Sequence, residues 1–124
     1  YTSEAAQRLL NEAARYLGTP YVWGGYSPSG FDCSGFVSYC LTHSGVRNTG
    51  RLTAQGLYDI CTPVSQSEAQ PGDLFFYGSG KGINHVAIYI GNGQIVHASS
   101  PSTGIKISNA YYRSPVCVVR VLGN

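Results

Sequence analysis

Methionine is absent from all 124 residues, and the first residue is a tyrosine. The chain is therefore expected to be a mature or excised piece of a longer protein, with no signal peptide of its own. No apolar run approaches the roughly 20 residues that a membrane-spanning helix needs, so no span is expected in this chain. Charge is scarce: Asp, Glu, Lys and Arg make up 11% of residues, and the formal net charge is +2. Without a run of Lys or Arg there is no clustered electrostatic footprint, and nucleic acid is not an expected partner. Zinc-type spacing is missing too. Cys33, Cys40, Cys61 and Cys117 form no CxxC pair and no Cys/His cluster, so no metal is expected. Their wide spacing, in a chain long enough to fold without staples, makes Cys40, Cys61 and Cys117 core thiols on the simplest reading. An extracellular setting leaves one disulfide among them open.

What is present is a globular composition, with 43% apolar residues, 16 Gly and 10 Tyr. The length suits one domain spanning residues 1–124 around one core. Residues 3–17 read as an amphipathic helix, with Ala6, Leu9, Leu10, Ala13, Ala14 and Leu17 at helical spacing, Ser3 as cap and Gly18 with Pro20 as terminators. Residues 19–32 read as a loop rich in Gly, Pro and Ser that also carries Tyr21, Trp23, Tyr26 and Phe31. Loops of that kind often bear binding surfaces, although packing beneath the loop is at least as good a reading for Trp23. A second helix is expected over residues 33–44, capped by Asp32, and a short third one over residues 52–60. The turn Gln70-Pro71-Gly72-Asp73 leads into a strand at 74–77, and a glycine loop follows at 78–82. Further strands are expected at 85–90, 94–98, 104–108 and 116–122. Helices first and antiparallel strands second indicate an α+β fold.

Cys33 opens the second helix. Free backbone N–H groups and the helix dipole favour a thiolate there, and a nearby imidazolium would favour it further. A lone cysteine in that position is still more often a structural thiol than a nucleophile. His85, distant in sequence, is a candidate general base, although taken alone it is better read as an ordinary surface or satisfied core histidine. His97 supplies a geometric test. If Asn92-Gly93 formed a plain two-residue turn, Ile88 would face His97 and the two histidines would lie on opposite faces of the sheet. A three-residue loop, or an equivalent bulge, sets Ala87 opposite His97 and puts His85 and His97 on one face as diagonal neighbours. His85 can then take the thiol proton while His97 orients its ring. His43, at the far end of the Cys33 helix, reads as a dipole partner or surface residue, and Asp73 as a turn residue.

Five stretches occur in order along the chain: Tyr21-Val22-Trp23-Gly24-Gly25, Asp32-Cys33-Ser34-Gly35-Phe36, Gln70-Pro71-Gly72-Asp73-Leu74, His85-Val86-Ala87-Ile88-Tyr89-Ile90-Gly91 and Val96-His97-Ala98. In these the chain resembles the NlpC-type (NlpC/p-sixty) cell-wall cysteine peptidases over essentially its whole length. The resemblance implies a papain-like α+β core, with the nucleophile helix packed on an antiparallel sheet, and a Cys33–His85–His97 triad. It implies hydrolysis of the bond between D-glutamate, through its γ-carboxyl, and a diamino acid in peptidoglycan stem peptides, with no cofactor. It places Tyr21 near the nucleophile for substrate or oxyanion contact, and Asp32 and Ser34 where a free L-Ala amine is bound. Arg51 and Thr53 match a substrate-facing segment more loosely. A secreted or wall-associated bacterial protein is implied, with further wall-binding or lytic domains in a longer parent. The same scaffold also fits an amidase, a cross-bridge peptidase or a wall-binding module without activity, although three intact triad positions argue against the last.

Overall fold

Eight strands and three α-helices make up the computed structural model, which describes residues 4–79, 82–100 and 102–121. Helix α1 (Glu4–Ala14) is followed by a short hairpin, β1 (Tyr26–Ser27) with β2 (Gly30–Phe31), and then by α2 (Cys33–His43) and α3 (Ala54–Asp59). After β3 (Thr62–Val64) and a single 3-10 turn at Gln66–Glu68 come β4 (Leu74–Ser79), β5 (Gly82–Gly91), β6 (Gln94–Ser100), β7 (Gly104–Asn109) and β8 (Cys117–Arg120). Six of the strands form one antiparallel sheet in the order β3-β8-β4-β5-β6-β7. The fold is α+β, with the helices ahead of the main sheet, as the order of patterns in the sequence indicates.

Helix α1 ends three residues before the expected Leu17, because Arg15 and Tyr16 bond back to the third residue before them and tighten the chain into turns. Gly18 then takes φ +87, a backbone conformation that favours glycine. The expected cap Ser3 and the end of the last strand, residue 122, lie outside the described residues. Helix α3 starts two residues later than expected, because the Thr53 side chain accepts the Gly56 N–H at 3.1 Å and so caps it. The β1–β2 hairpin and β3 were not visible as strands in the sequence. Two or three residues give no period, and Pro63 in β3 reads as a breaker. It is tolerated because β3 lies at the sheet edge. Of the expected glycine loop at 78–82, Gly78 and Ser79 belong to β4 and Gly82 to β5, and residues 80 and 81 lie outside the described residues.

Helix α2 packs its Phe36, Val37, Cys40 and Leu41 onto one face of the sheet, against Leu74, Phe76, Val86, Ile88 and Val96. Alternate residues Phe75, Tyr77, Ala87, Ile95 and Val118 build a second cluster on the opposite face. Both faces of the central strands are therefore covered, which is why β4 reads as an unbroken apolar run rather than an alternation. The segment after β7 closes the second face: Tyr77 donates to the Ala110 carbonyl at 2.6 Å, and Val116 N–H bonds Phe76 O at 2.7 Å.

Candidate active site

The Asp32-Cys33-Ser34-Gly35 turn sets the nucleophile end of the site. Asp32 is extended (φ −93, ψ −176), and its Oδ1 accepts the Gly35 N–H at 2.6 Å, which starts α2 at Cys33. A Cβ on Gly35 would collide with the Gly25 carbonyl oxygen and with Asp32 Oδ1, so only glycine lets the hairpin loop close over the helix start. Cys33 is half-buried, and its sulfur lies within reach of the backbone N–H groups of Val86, Ser34 and Cys33 itself. Those donors favour the thiolate as a helix start should. Burial outweighs them, and with the Asp32 charge it pushes the thiol above its ordinary value. Burial thus opposes the thiolate that the helix position favours.

Contact with the Val86 N–H brings Cys33 to the residue that follows His85. The histidines themselves owe their placement to a bulge. Gly91 pairs with Gln94 across a two-residue turn in which Asn92 (φ +55) and Gly93 (φ +73) both take left-handed conformations. Ile90 is then left over as an extra residue, and the ladder continues as Tyr89–Ile95 and Ile88–Val96. The turn is the short one, yet the bulge restores the register that puts His85 and His97 on one face. His85 Nε2 lies 2.8 Å from His97 Nδ1, and His97 Nε2 lies 2.9 Å from Ser108 Oγ on β7. That bond engages Nε2 of His85 and not its Nδ1. Burial, helped by the charges of His97 and Arg113, lowers the His85 pKa to about 3, and burial with Lys106 lowers that of His97 to about 4. Both rings are neutral at pH 7.

A cleft of about 520 Å³ runs past the sulfur. All five residues expected to meet substrate line it together with Cys33: Tyr21, Asp32, Ser34, Arg51 and Thr53. Asp32 is heavily engaged there. Its Oδ2 accepts from Arg51 Nη2 at 2.7 Å and from the Gly24 N–H at 3.1 Å, and Ser34 Oγ lies 3.4 Å from Oδ1. Arg51 Nη1 also reaches Ser34 Oγ at 3.0 Å and the Leu52 carbonyl at 2.8 Å. Thr53 spends its acceptor on the α3 cap and retains a hydroxyl hydrogen. The Tyr21 phenol is pushed up, first by burial and then by negative charge at Cys33 and Asp32, so it stays a hydrogen-bond donor. Trp23 does not pack beneath the loop: it is 87% exposed at the cleft rim.

Outside the cleft, His43 stacks on Tyr39 with ring centroids 3.7 Å apart, and Asp73 is clamped by Arg120 at 2.8 and 3.0 Å while it caps the Gln70 N–H. All four cysteines are free thiols. Among the described residues, no group of three or more His, Cys, Asp or Glu is placed to hold a metal ion. Sequence reasoning passed over Ser108, which the register makes a same-face diagonal neighbour of His97 once β6 pairs with β7. It also missed Tyr112, whose ring centroid is 5.4 Å from that of His97, and Arg113 beside it. Nothing in a sequence of Tyr, Arg and Ser between two strands signals that the segment crosses the histidines.

With this geometry in hand, comparison with known proteins is specific. A probable endopeptidase p60 of Listeria seeligeri is 48% identical over 103 residues, which are 83% of this chain and 19% of that protein. The bifunctional muramidase/DL-endopeptidase CwlT of Bacillus subtilis is 40% identical over 107 residues, 83% of this chain and 31% of that protein. The chain thus spans about a fifth to a third of the length of these curated relatives. Among solved structures, the NlpC/p60 domain of the peptidoglycan hydrolase SagA superposes with a TM-score of 0.84 at 41% identity, covering 94% of this chain and 98% of that one. Residues 18–120, which hold every site residue named above, match the model of the NlpC/P60 family, and the chain belongs to that family.

Proposed function

We propose that this chain is a single cysteine endopeptidase domain that cleaves the γ-D-glutamyl–diamino acid bond of peptidoglycan stem peptides outside the bacterial cytoplasm. The observation that carries the reading is the chain of bonds from His85 through His97 to Ser108, beside a cleft lined by Cys33, Tyr21, Asp32, Ser34, Arg51 and Thr53, with the Cys33 sulfur at the backbone N–H of Val86, the residue after His85. Its similarity to a probable endopeptidase, a muramidase/DL-endopeptidase and a peptidoglycan hydrolase supports it.

Hydrogen bookkeeping in the relay selects one tautomer set. For His85 Nδ1 to accept the thiol proton, its Nε2 must carry hydrogen and donate to His97 Nδ1. His97 then carries its own hydrogen on Nε2 and donates to Ser108 Oγ. As Sγ attacks the γ-carbonyl carbon, its proton passes to His85. Charge develops on the carbonyl oxygen, where the Cys33 N–H and the Tyr21 hydroxyl are the donors at hand. The tetrahedral species collapses, the C–N bond breaks, and His85 gives its proton to the leaving amine. Water, with His85 again as base, hydrolyses the thioester and restores the thiol. Each step exchanges one proton between His85 and a reacting group, and no cofactor is required.

The substrate's L-Ala end falls toward Asp32 and Ser34. An ammonium group there would compete with the Arg51 guanidinium for Asp32, and exchanging one cation for the other keeps the carboxylate paired.

The test is incubation of the protein and of its Cys33→Ala variant with purified peptidoglycan and with L-Ala-γ-D-Glu-diamino acid, followed by mass spectrometry. Release of L-Ala-D-Glu by the unaltered protein alone is expected. Release of a whole stem peptide would instead make it an amidase, and turnover by Cys33→Ala would remove the nucleophile assignment.

A further inference from the structure

Besides the residues expected to meet substrate, the cleft is lined from β5 by Ile83 and Asn84, the two residues that precede His85. Asn84 is the immediate chain neighbour of His85. The β4–β5 ladder passes from Tyr77–His85 to Gly78–Ile83, which leaves Asn84 as an extra, bulged residue on β5. Such bulges re-aim a side chain. Asn84 Oδ1 accepts from Arg113 Nη2 at 3.3 Å, on the segment between β7 and β8.

Arg113 is held there by more than that bond. Its guanidinium carbon lies 5.6 Å from the centroid of the buried Tyr77 ring. Tyr77 is fixed in turn by its bond to Ala110 O, and Tyr112 packs against both Tyr77 and His97 with ring centroids 5.4 Å away in each case. Ion pairs in the described residues engage Arg15, Arg51 and Arg120, and none of them includes Arg113.

A cation beside a general base is an odd thing to build. The Arg113 charge disfavours the imidazolium that His85 must become during the reaction. That cost is removed if an anion arrives with the substrate. Geometry says which part of the substrate would carry it. His85 protonates the leaving nitrogen, so the leaving fragment lies on the His85 side, and a carboxylate one carbon from that nitrogen falls within a few bond lengths of the imidazole. Lys106, the other cation felt by the pair, acts on His97 and stands opposite it on β7.

We infer that Arg113, presented by Asn84 and Tyr77, binds a carboxylate of the leaving fragment and makes the enzyme selective for acidic leaving groups. The inference rests on the endopeptidase reading for which side of the cleft is the leaving side. The carboxylate can be the main-chain acid of the diamino acid or a second acid on its side chain, and both present the same planar partner to a guanidinium.

The experiment measures binding to the Cys33→Ala protein by calorimetry, with three stem peptides. One ends in a lysine-type diamino acid as its free acid, one in the same residue as its amide, and one in a diamino acid amide that bears a side-chain carboxylate. At least one carboxylate peptide should bind about tenfold more tightly than the lysine-type amide, and which one does so identifies the source of the anion. Adding Arg113→Gln should bring the ratio close to one, and Arg113→Lys should restore part of it. Equal binding of all three peptides would overturn the inference, as would a preference that survives Arg113→Gln. If the unaltered protein cuts no stem peptide while the Arg113-dependent preference persists, the cleavage reading fails and the carboxylate site stands.

Discussion

Burying two neutral histidines makes the fold dependent on pH in a way that can be worked out from their environments. In the unfolded chain both titrate near the ordinary 6.5, whereas in the folded site His85 sits at about 3 and His97 at about 4. Between those values the unfolded state binds protons that the folded state refuses, so stability is fully present above about pH 6.5 and is lost as pH falls toward 3. Each histidine contributes a slope near 1.4 kcal/mol per pH unit in the middle of that window. From pH 7 to pH 5 the pair should therefore remove about 4 kcal/mol, a large share of the 5–15 kcal/mol that a domain typically has. Urea unfolding at the two pH values measures the difference directly. A His97→Gln variant serves as control: it removes one of the titrating groups and should roughly halve the loss. A loss below about 1 kcal/mol in the unaltered protein would refute the reasoning, because it would mean that the folded site accepts protons readily. The resting pair would then be an imidazolium beside a thiolate, and not two neutral groups.

The same assignment governs thiol chemistry. With the Cys33 pKa pushed up by burial, its alkylation by iodoacetamide should climb about tenfold per pH unit without a plateau on the acid side. Such a plateau, absent from Cys33→Ala, would show a preformed ion pair instead. In the relay, His85→Ala should lower kcat by roughly 10²–10⁴-fold, His97→Ala by less, and Ser108→Ala by only a few-fold, since each lies one step further from the transferred proton. Equal losses at His85 and Ser108 would mean that the whole relay acts as a unit. Away from the site, Arg120→Ala leaves the Asp73 carboxylate, 1% exposed, without its cation, and should cost roughly 1–3 kcal/mol in thermal or urea unfolding while kcat is retained. No change in stability would show that the Gln70 N–H alone satisfies Asp73.

The site is legible in the sequence where chemistry travels with local structure, and illegible where it depends on what packs around it. Asp32 before Cys33 announces a capped helix start because an N-cap is decided within four residues, and Gly35 N–H does bond to it. The two histidines could be placed on one face because strand parity is a counting rule. Its one ambiguity, a longer turn or a bulge, was resolved by Ile90 in favour of the bulge. Asn92-Gly93 forces the short turn, so the extra residue has to be absorbed within the strand.

Counting rules end where distant segments meet. Helix position alone argued for a thiolate at Cys33, and the N–H donors it promised are present, yet desolvation by the sheet outweighs them. Likewise Arg51 and Asp32, 19 positions apart, form a 2.7 Å ion pair that no local pattern encodes. These two facts bear on each other. The charge that raises the Cys33 pKa after burial is that of Asp32, and Arg51 is the cation that neutralises it. Arg51 therefore acts on the nucleophile through Asp32 as well as on the cleft, so its removal should raise the thiol pKa further and shift the alkylation profile to higher pH. An Arg51→Ala profile that superposes on that of the unaltered protein would confine Arg51 to substrate contact.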